Sequence, residues 1–150
     1  MNNDRLYIYK EIKDKIISYS TINLPQEACG LLVGQDNWMS QFIEMENVFH
    51  SKYRFEMEPN ALMRVINWLE RQKMNLLGIM HSHPAGGEKP SQEDIERYYY
   101  PQTAMIICSM GLNNDWKVSS YQIRCQKAFP IQLDVIENQI NYNKKGDGEN

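Results

Sequence analysis

Leu76-Leu77-Gly78-Ile79-Met80-His81-Ser82-His83-Pro84, then the loop Ala85-Gly86-Gly87-Glu88-Lys89-Pro90, then Ser91-Gln92-Glu93-Asp94, is the stretch on which the reading of this chain turns. Leu76 to Met80 is a short apolar run and reads as a central strand. His81 and His83 continue it two residues apart, and side chains two apart on an extended segment share a side. Both imidazoles can therefore reach one metal ion. Zinc takes neutral imidazole nitrogens and carboxylates, and its catalytic sites keep three protein ligands plus a water. Asp94 falls in the first turn of a helix opened by Ser91, where a carboxylate can complete a His₂Asp set. Each piece also has a plainer reading. His-x-His can be a polar strand end, and Ser91-x-x-Asp94 is an ordinary capping box. The two readings of Ser91 can coexist, since a capping serine still presents a hydroxyl.

The rest of the chain limits what such a site can belong to. At 150 residues it matches the commonest size of a single domain. That is far short of the roughly 250 residues of a (β/α)₈ barrel, so barrel hydrolases with a His-x-His strand motif are excluded. Apolar residues make up 42% and charged residues 23%, a globular balance. Sixteen Lys and Arg against nineteen Asp and Glu give a net charge of −3, which argues against a general nucleic-acid binder. No basic start followed by an apolar run and no long apolar stretch is visible, so neither a secretory signal nor a membrane span is expected. Cys29, Cys108 and Cys125 have neither zinc-finger nor redox spacing. Reduced thiols in a cytoplasmic protein are the simplest reading.

Outward from the histidines, strands and helices mix. Leu6 to Tyr9 reads as a strand and Lys10 to Ser18 as a helix, with Ile12, Ile16 and Ile17 on one face. Ala28 to Val33 reads as a buried strand ending at the turn Gly34-Gln35-Asp36-Asn37. Trp38 to Phe49 gives one or two further strands and Tyr53 to Met57 another. Pro59 opens a helix with Leu62, Val65, Ile66 and Leu69 at i, i+3, i+4, i+7, the clearest amphipathic pattern in the chain. Ser91 to Tyr98 reads as a helix, and Ala104 to Cys108 and Trp116 to Ile123 as strands. The pattern fades after Phe129. These features predict an α/β or α+β domain over residues 1–130 and a partly disordered tail over residues 131–150.

Glu27 alone reads as a loop acid. Glu27-Ala28-Cys29-Gly30-Leu31-Leu32-Val33-Gly34, taken with His81-Ser82-His83-Pro84 and Ser91-x-x-Asp94, resembles the JAMM, or MPN-plus, metalloisopeptidases, whose pattern is Glu, then H-x-H-P, six residues, S-x-x-D. The likeness runs from about Leu24 to Cys108. The compact length is similar to the prokaryotic JAB-type members. The resemblance implies a single curved, mixed, mostly antiparallel sheet flanked by helices, similar to cytidine deaminases. It implies one zinc per chain on His81, His83 and Asp94, with Glu27 as general base and then acid, and Ser91 steadying the oxyanion. It implies hydrolysis of the bond after the C-terminal Gly-Gly tail of a ubiquitin-like or sulfur-carrier protein, and leaves a homodimer open.

Other classes fit less well. Base deaminases carry H-x-E and P-C-x-x-C, and neither is present. H-E-x-x-H is also absent. A scaffold domain that has lost its ligands, and a protein similar to the RadC type, remain the alternatives. A substrate tail could add to a free sheet edge near the zinc, with 48–55 and 85–89 as candidate walls. His50 reads as a polar loop residue, and Tyr98-Tyr99-Tyr100 as helix-end packing. The absence of a histidine partner outside the metal pair argues against a catalytic cysteine.

Overall fold

The computed structural model describes residues 5–100 and 102–137. Seven strands and three helices run in the order β1 (Arg5–Tyr9), α1 (Lys10–Ile22), β2 (Cys29–Gln35), β3 (Trp38–Met45), α2 (Pro59–Gln72), β4 (Asn75–His83), α3 (Gln92–Glu96), β5 (Ala104–Met110), β6 (Trp116–Arg124) and β7 (Lys127–Ile136). The strands form one closed, strongly curved sheet in the order β1-β3-β2-β4-β5-β6-β7, with β7 returning to β1. Four of its seven pairings are antiparallel; β1–β3, β1–β7 and β4–β5 are parallel. The mixed, mostly antiparallel sheet flanked by helices is borne out.

Each face of the sheet buries one helix. Ile12 and Ile16 of α1 pack with Leu6, Ile8, Leu32, Met39, Met80 and Ile106. On the other face Leu69 of α2 packs with Leu31, Val33, Met57 and Ile79. Alternation along β4 therefore sends Met80 toward α1 and Ile79 toward α2, and His81 and His83 follow Ile79. The α2 helix starts where Pro59 predicts. Glu58 caps it, accepting hydrogen bonds from the Asn60 and Ala61 amides at 3.0 and 2.8 Å.

The structure departs from the sequence pattern in four places. Residues 53–57 are not a strand, because the Asn47 side chain claims their backbone: its Oδ1 accepts from the Glu56 amide and its Nδ2 donates to the Arg54 carbonyl. The helix after Ser91 stops at Glu96 rather than Tyr98. The domain does not end at residue 130, since β7 continues to Ile136 with β6 on one side and β1 on the other; residues 138–150 of the expected tail lie outside the described residues. Finally, β4 itself has no free edge as far as His81. It is paired with β2 and with β5, the latter through His83 itself. Among the described residues no helix is long and apolar enough to cross a membrane.

Gly30 shows how tightly β2 sits. A Cβ there would overlap the Phe42 ring and approach the Ile43 carbonyl oxygen to 2.6 Å. Gly30→Ala is expected to destabilise the protein by about 1–3 kcal/mol through overpacking, read as a lower urea midpoint at unchanged m-value.

Candidate metal centre

Strand β4 delivers two of the three converging groups. His81 and His83 are 1% and 8% exposed, and their Nε2 atoms stand 3.0 Å apart. Asp94 Oδ2 lies 3.1 Å from the first and 3.0 Å from the second. Two ring nitrogens and one carboxylate oxygen thus converge, each within 3.1 Å of the other two. Ligands held about 2.0–2.1 Å from a tetrahedral zinc stand roughly 3.3 Å apart, so these residues fit such an ion with a small relaxation. Among the described residues this is the only His, Cys, Asp and Glu cluster of that geometry.

The local chain explains why Asp94 is there. Ser91 Oγ accepts from the Asp94 amide at 3.0 Å, and the Ser91 amide donates to Asp94 Oδ2 at 2.9 Å. This capping box turns the carboxylate back toward β4, so the capping and the metal-ligand readings describe one geometry. Ser91 Oγ spends a lone pair on the cap and keeps its O–H free to donate. His83 is oriented from behind, since Nδ1–H donates to the Gly87 carbonyl at 2.7 Å and Nε2 is thereby directed toward Asp94. The His81 ring stacks on Phe55, centroids 4.8 Å apart.

Charge follows burial and these contacts. Burial lowers the His81 pKa against the pull of Asp94. At His83 burial acts the same way, but the bonds to Asp94 and Gly87 outweigh it and raise the pKa. Burial also opposes ionisation of Asp94, yet hydrogen bonds from both imidazoles hold its carboxyl far below the usual carboxylate range.

Glu27 completes the site. It is 4% exposed, and its Oε1 is buried without a hydrogen-bond partner. Burial raises its pKa to about 8, partly offset by His83 and reinforced by Asp94. Glu27 lines a concavity together with His83, Ser91, Asp94, Lys52, Tyr53 and the loop 84–87. Parts of both segments expected to be walls do line it. A second concavity, which shares Asp94 with the first, is lined by His81, Phe55, Arg97, Tyr98, Tyr99 and Tyr100 among others. Tyr98 and Tyr100 pack against the core as the sequence suggests, with the Tyr98 hydroxyl bonded to Thr103 and Ala104, and all three tyrosines also line this concavity. His50 pairs with Glu46 on the surface at 3.5 Å and lines neither concavity.

Two positioning residues escaped the sequence reading. Ser82, between the histidines, accepts from the Ala28 amide at 2.7 Å through Oγ and donates its own amide to the Ala28 carbonyl at 2.9 Å. It clamps the Glu27 segment to the histidine strand. Asn47 donates to the Glu27 and Arg54 carbonyls, both at 3.0 Å, and accepts from the Phe49 and Glu56 amides. Ser82 was visible only as the x of H-x-H, and Asn47 carried no signal. Cys29 shares a face with His81, but its thiol is fully buried, faces the Met45 carbonyl at 3.6 Å, and is pushed up to about 12, mainly by burial.

The curved α+β sheet, with a His₂Asp triangle beside a buried carboxylate, has the JAB/MPN architecture. The model of the family of prokaryotic homologues of the JAB domain matches residues 10–124, and the chain belongs to that family. The desampylase of Pyrococcus furiosus is 29% identical over 106 residues, covering 70% of this chain and 73% of that one. A probable TtuB-protein conjugate cleaving protease of Thermus thermophilus is 32% identical over 108 residues, covering 71% and 72%. The solution structure of a protein from Desulfitobacterium hafniense superposes with a TM-score of 0.82 at 23% identity, covering 91% of this chain and 97% of that one.

Replacing Ser82 by alanine removes the partner of the buried Ala28 amide. Ser82→Ala is expected to lower the stability of the metal-free protein by about 1–3 kcal/mol, measured by urea unfolding in the presence of a chelator.

Proposed function

We propose that this chain is a zinc-dependent peptidase or isopeptidase that hydrolyses the bond after the C-terminal Gly-Gly tail of a ubiquitin-like or sulfur-carrier protein. The observation that carries the reading is the buried Glu27 carboxyl, with one oxygen unbonded, facing the same concavity as His83, Asp94 and Ser91. The names of the two relatives, a desampylase and a conjugate-cleaving protease, support the substrate class. The free thiols Cys29, Cys108 and Cys125 suit a reducing compartment, and we place the reaction in the cytoplasm.

In this reading His81 Nε2, His83 Nε2 and Asp94 Oδ2 hold the ion. A zinc ion held there would lower the pKa of a bound water to about 7 and supply a Lewis acid for a carbonyl oxygen. Glu27 accepts the proton of the attacking water and passes it to the departing nitrogen. Its burial suits both roles, because desolvation raises its affinity for a proton above that of an ordinary carboxylate. Proton transfer of this kind contributes about 10²- to 10⁴-fold. The free O–H of Ser91 donates to the carbonyl oxygen as negative charge gathers there, a contribution on the order of 10²- to 10³-fold. The Gly87 carbonyl keeps His83 in the tautomer that leaves Nε2 open.

The test separates metal holding from proton transfer. Glu27→Gln should keep one zinc per chain and lose at least about 10²-fold in turnover of a Gly-Gly-linked conjugate. Loss of zinc from the folded variant would place Glu27 among the ligands and contradict these roles. Phenanthroline should abolish activity of the wild type. Cys29→Ser should keep substantial turnover; a dead variant with its zinc and fold intact would return the mechanism to a thiol.

A further inference from the structure

The buried His83 ring takes its orientation from an exposed loop. Its Nδ1–H donates to the Gly87 carbonyl at 2.7 Å, and residues 85–89 are all exposed. Among the described residues, 85–90 make no backbone–backbone hydrogen bond. The groups that hold the Gly87 carbonyl in place must therefore come from side chains outside the loop.

Strand β6 supplies two of them, both to the residue next to Gly87. The Tyr121 hydroxyl donates to the Glu88 carbonyl at 2.8 Å, and the Lys117 ammonium meets the Glu88 carboxylate at 2.6 Å. Tyr121 and Lys117 lie four apart on one strand, so they share a face. The two bonds differ in worth. Both side chains of the ion pair are exposed, which makes it a weak tie. Tyr121 is only 8% exposed, and its ring packs with Met105 and Ile107 of β5. Ile107 stands opposite His81, and Met105 opposite Ile79, in the pairing of β5 with β4. The Tyr121 hydroxyl is thus a donor fixed in the same frame as the two imidazoles.

We propose that Tyr121 is a positioning residue of the metal centre: its hydroxyl fixes the loop 84–90 so that the Gly87 carbonyl stays on His83 Nδ1, and it thereby sets how tightly His81, His83 and Asp94 hold zinc. This rests on the proposed function, because it takes zinc as the ion of the site. Tyr121 lines neither of the two concavities beside the triangle. It acts through the Glu88 carbonyl and the peptide that joins it to Gly87. The hydrogen-bond partner behind a metal-bound imidazole is commonly worth 10- to 100-fold in affinity. Deleting the Tyr121 hydroxyl loosens that partner without removing it, so its effect is smaller.

The experiment measures zinc affinity on the folded full chain by competition with a chromophoric chelator. Tyr121→Phe keeps the ring and deletes only the hydroxyl. It should weaken zinc binding about 3- to 10-fold, the worth of one hydrogen bond, and its kcat on a Gly-Gly-linked conjugate should return close to the wild-type value at saturating zinc. Ser120→Ala is the control from the same strand. Its hydroxyl donates to the Ile131 carbonyl at 2.8 Å rather than to the loop, so its loss should lower stability and leave zinc affinity unchanged. Unaltered affinity in Tyr121→Phe, or an equal loss in Ser120→Ala, overturns the inference and leaves the zinc reading standing. A wild type that binds no zinc overturns both. One readout needs no variant, so it stands even where Tyr121→Phe misfolds. In the zinc-loaded wild type the His83 Nδ1–H should give a proton resonance that exchanges slowly with water, although its acceptor is on an exposed loop; rapid exchange overturns the inference.

Discussion

The pairing of β2 with β4 is the constraint on which the site depends. It sets Cys29 opposite His81, and Ser82 extends it by holding both the amide and the carbonyl of Ala28. Glu27 is thereby carried to the mouth of the histidine strand from 54 residues away in sequence. Because strand side chains alternate, a slip of one residue would turn both imidazoles into the apolar layer beneath α1 and bring Ser82 to the site in their place. Gly30 helps to forbid that slip, since the Phe42 ring occupies the space a side chain would need. The metal triangle is the outcome of a register that apolar packing on both faces of the sheet enforces.

The walls of the site are built differently. Neither the segment between β3 and α2 nor the loop 84–90 has regular structure, so their backbone groups need partners of another kind. Asn47 supplies them to the first segment, taking four backbone bonds of 3.0–3.2 Å from Glu27, Phe49, Arg54 and Glu56. The loop 84–90 is tied at both ends of its crest. Gly87 accepts from His83, and the next residue, Glu88, receives the Tyr121 hydroxyl on its carbonyl and Lys117 on its side chain. Through these bonds β6, which contributes nothing to the triangle, steadies the carbonyl that fixes the His83 tautomer.

How much of this was legible follows from where the information sits. Glu27, His81, His83, Ser91 and Asp94 could be read because their chemistry is local to short motifs, and α2 because one helical face is apolar. The capping box of Ser91 and Asp94 could also be read, and the proposed ligand role of Asp94 needs the same turn. Asn47 could not, as its partners are backbone atoms that any sequence supplies. Strand β7 was missed for three physical reasons. Its burial does not alternate, Pro130 interrupts it, and the turn before it places Cys125 and Gln126 at positive φ without the usual glycine or asparagine. Among the described residues pairing with β1 begins at Gln132, beyond Pro130. The mistaken strand at 53–57 reflects an apolar pattern whose backbone had already been claimed by Asn47.

The central claim is that β4 and the capped turn of α3 together hold one zinc ion through two imidazoles and one carboxylate. X-ray absorption at the zinc edge of the purified, tag-free protein tests it most directly. The account predicts a four-coordinate shell of nitrogen and oxygen at about 2.0–2.1 Å, with the outer-shell scattering of two imidazole rings. A sulfur neighbour at about 2.3 Å would bring Cys29 into the centre, and a single imidazole would remove His81 or His83 from it; either result would contradict the account.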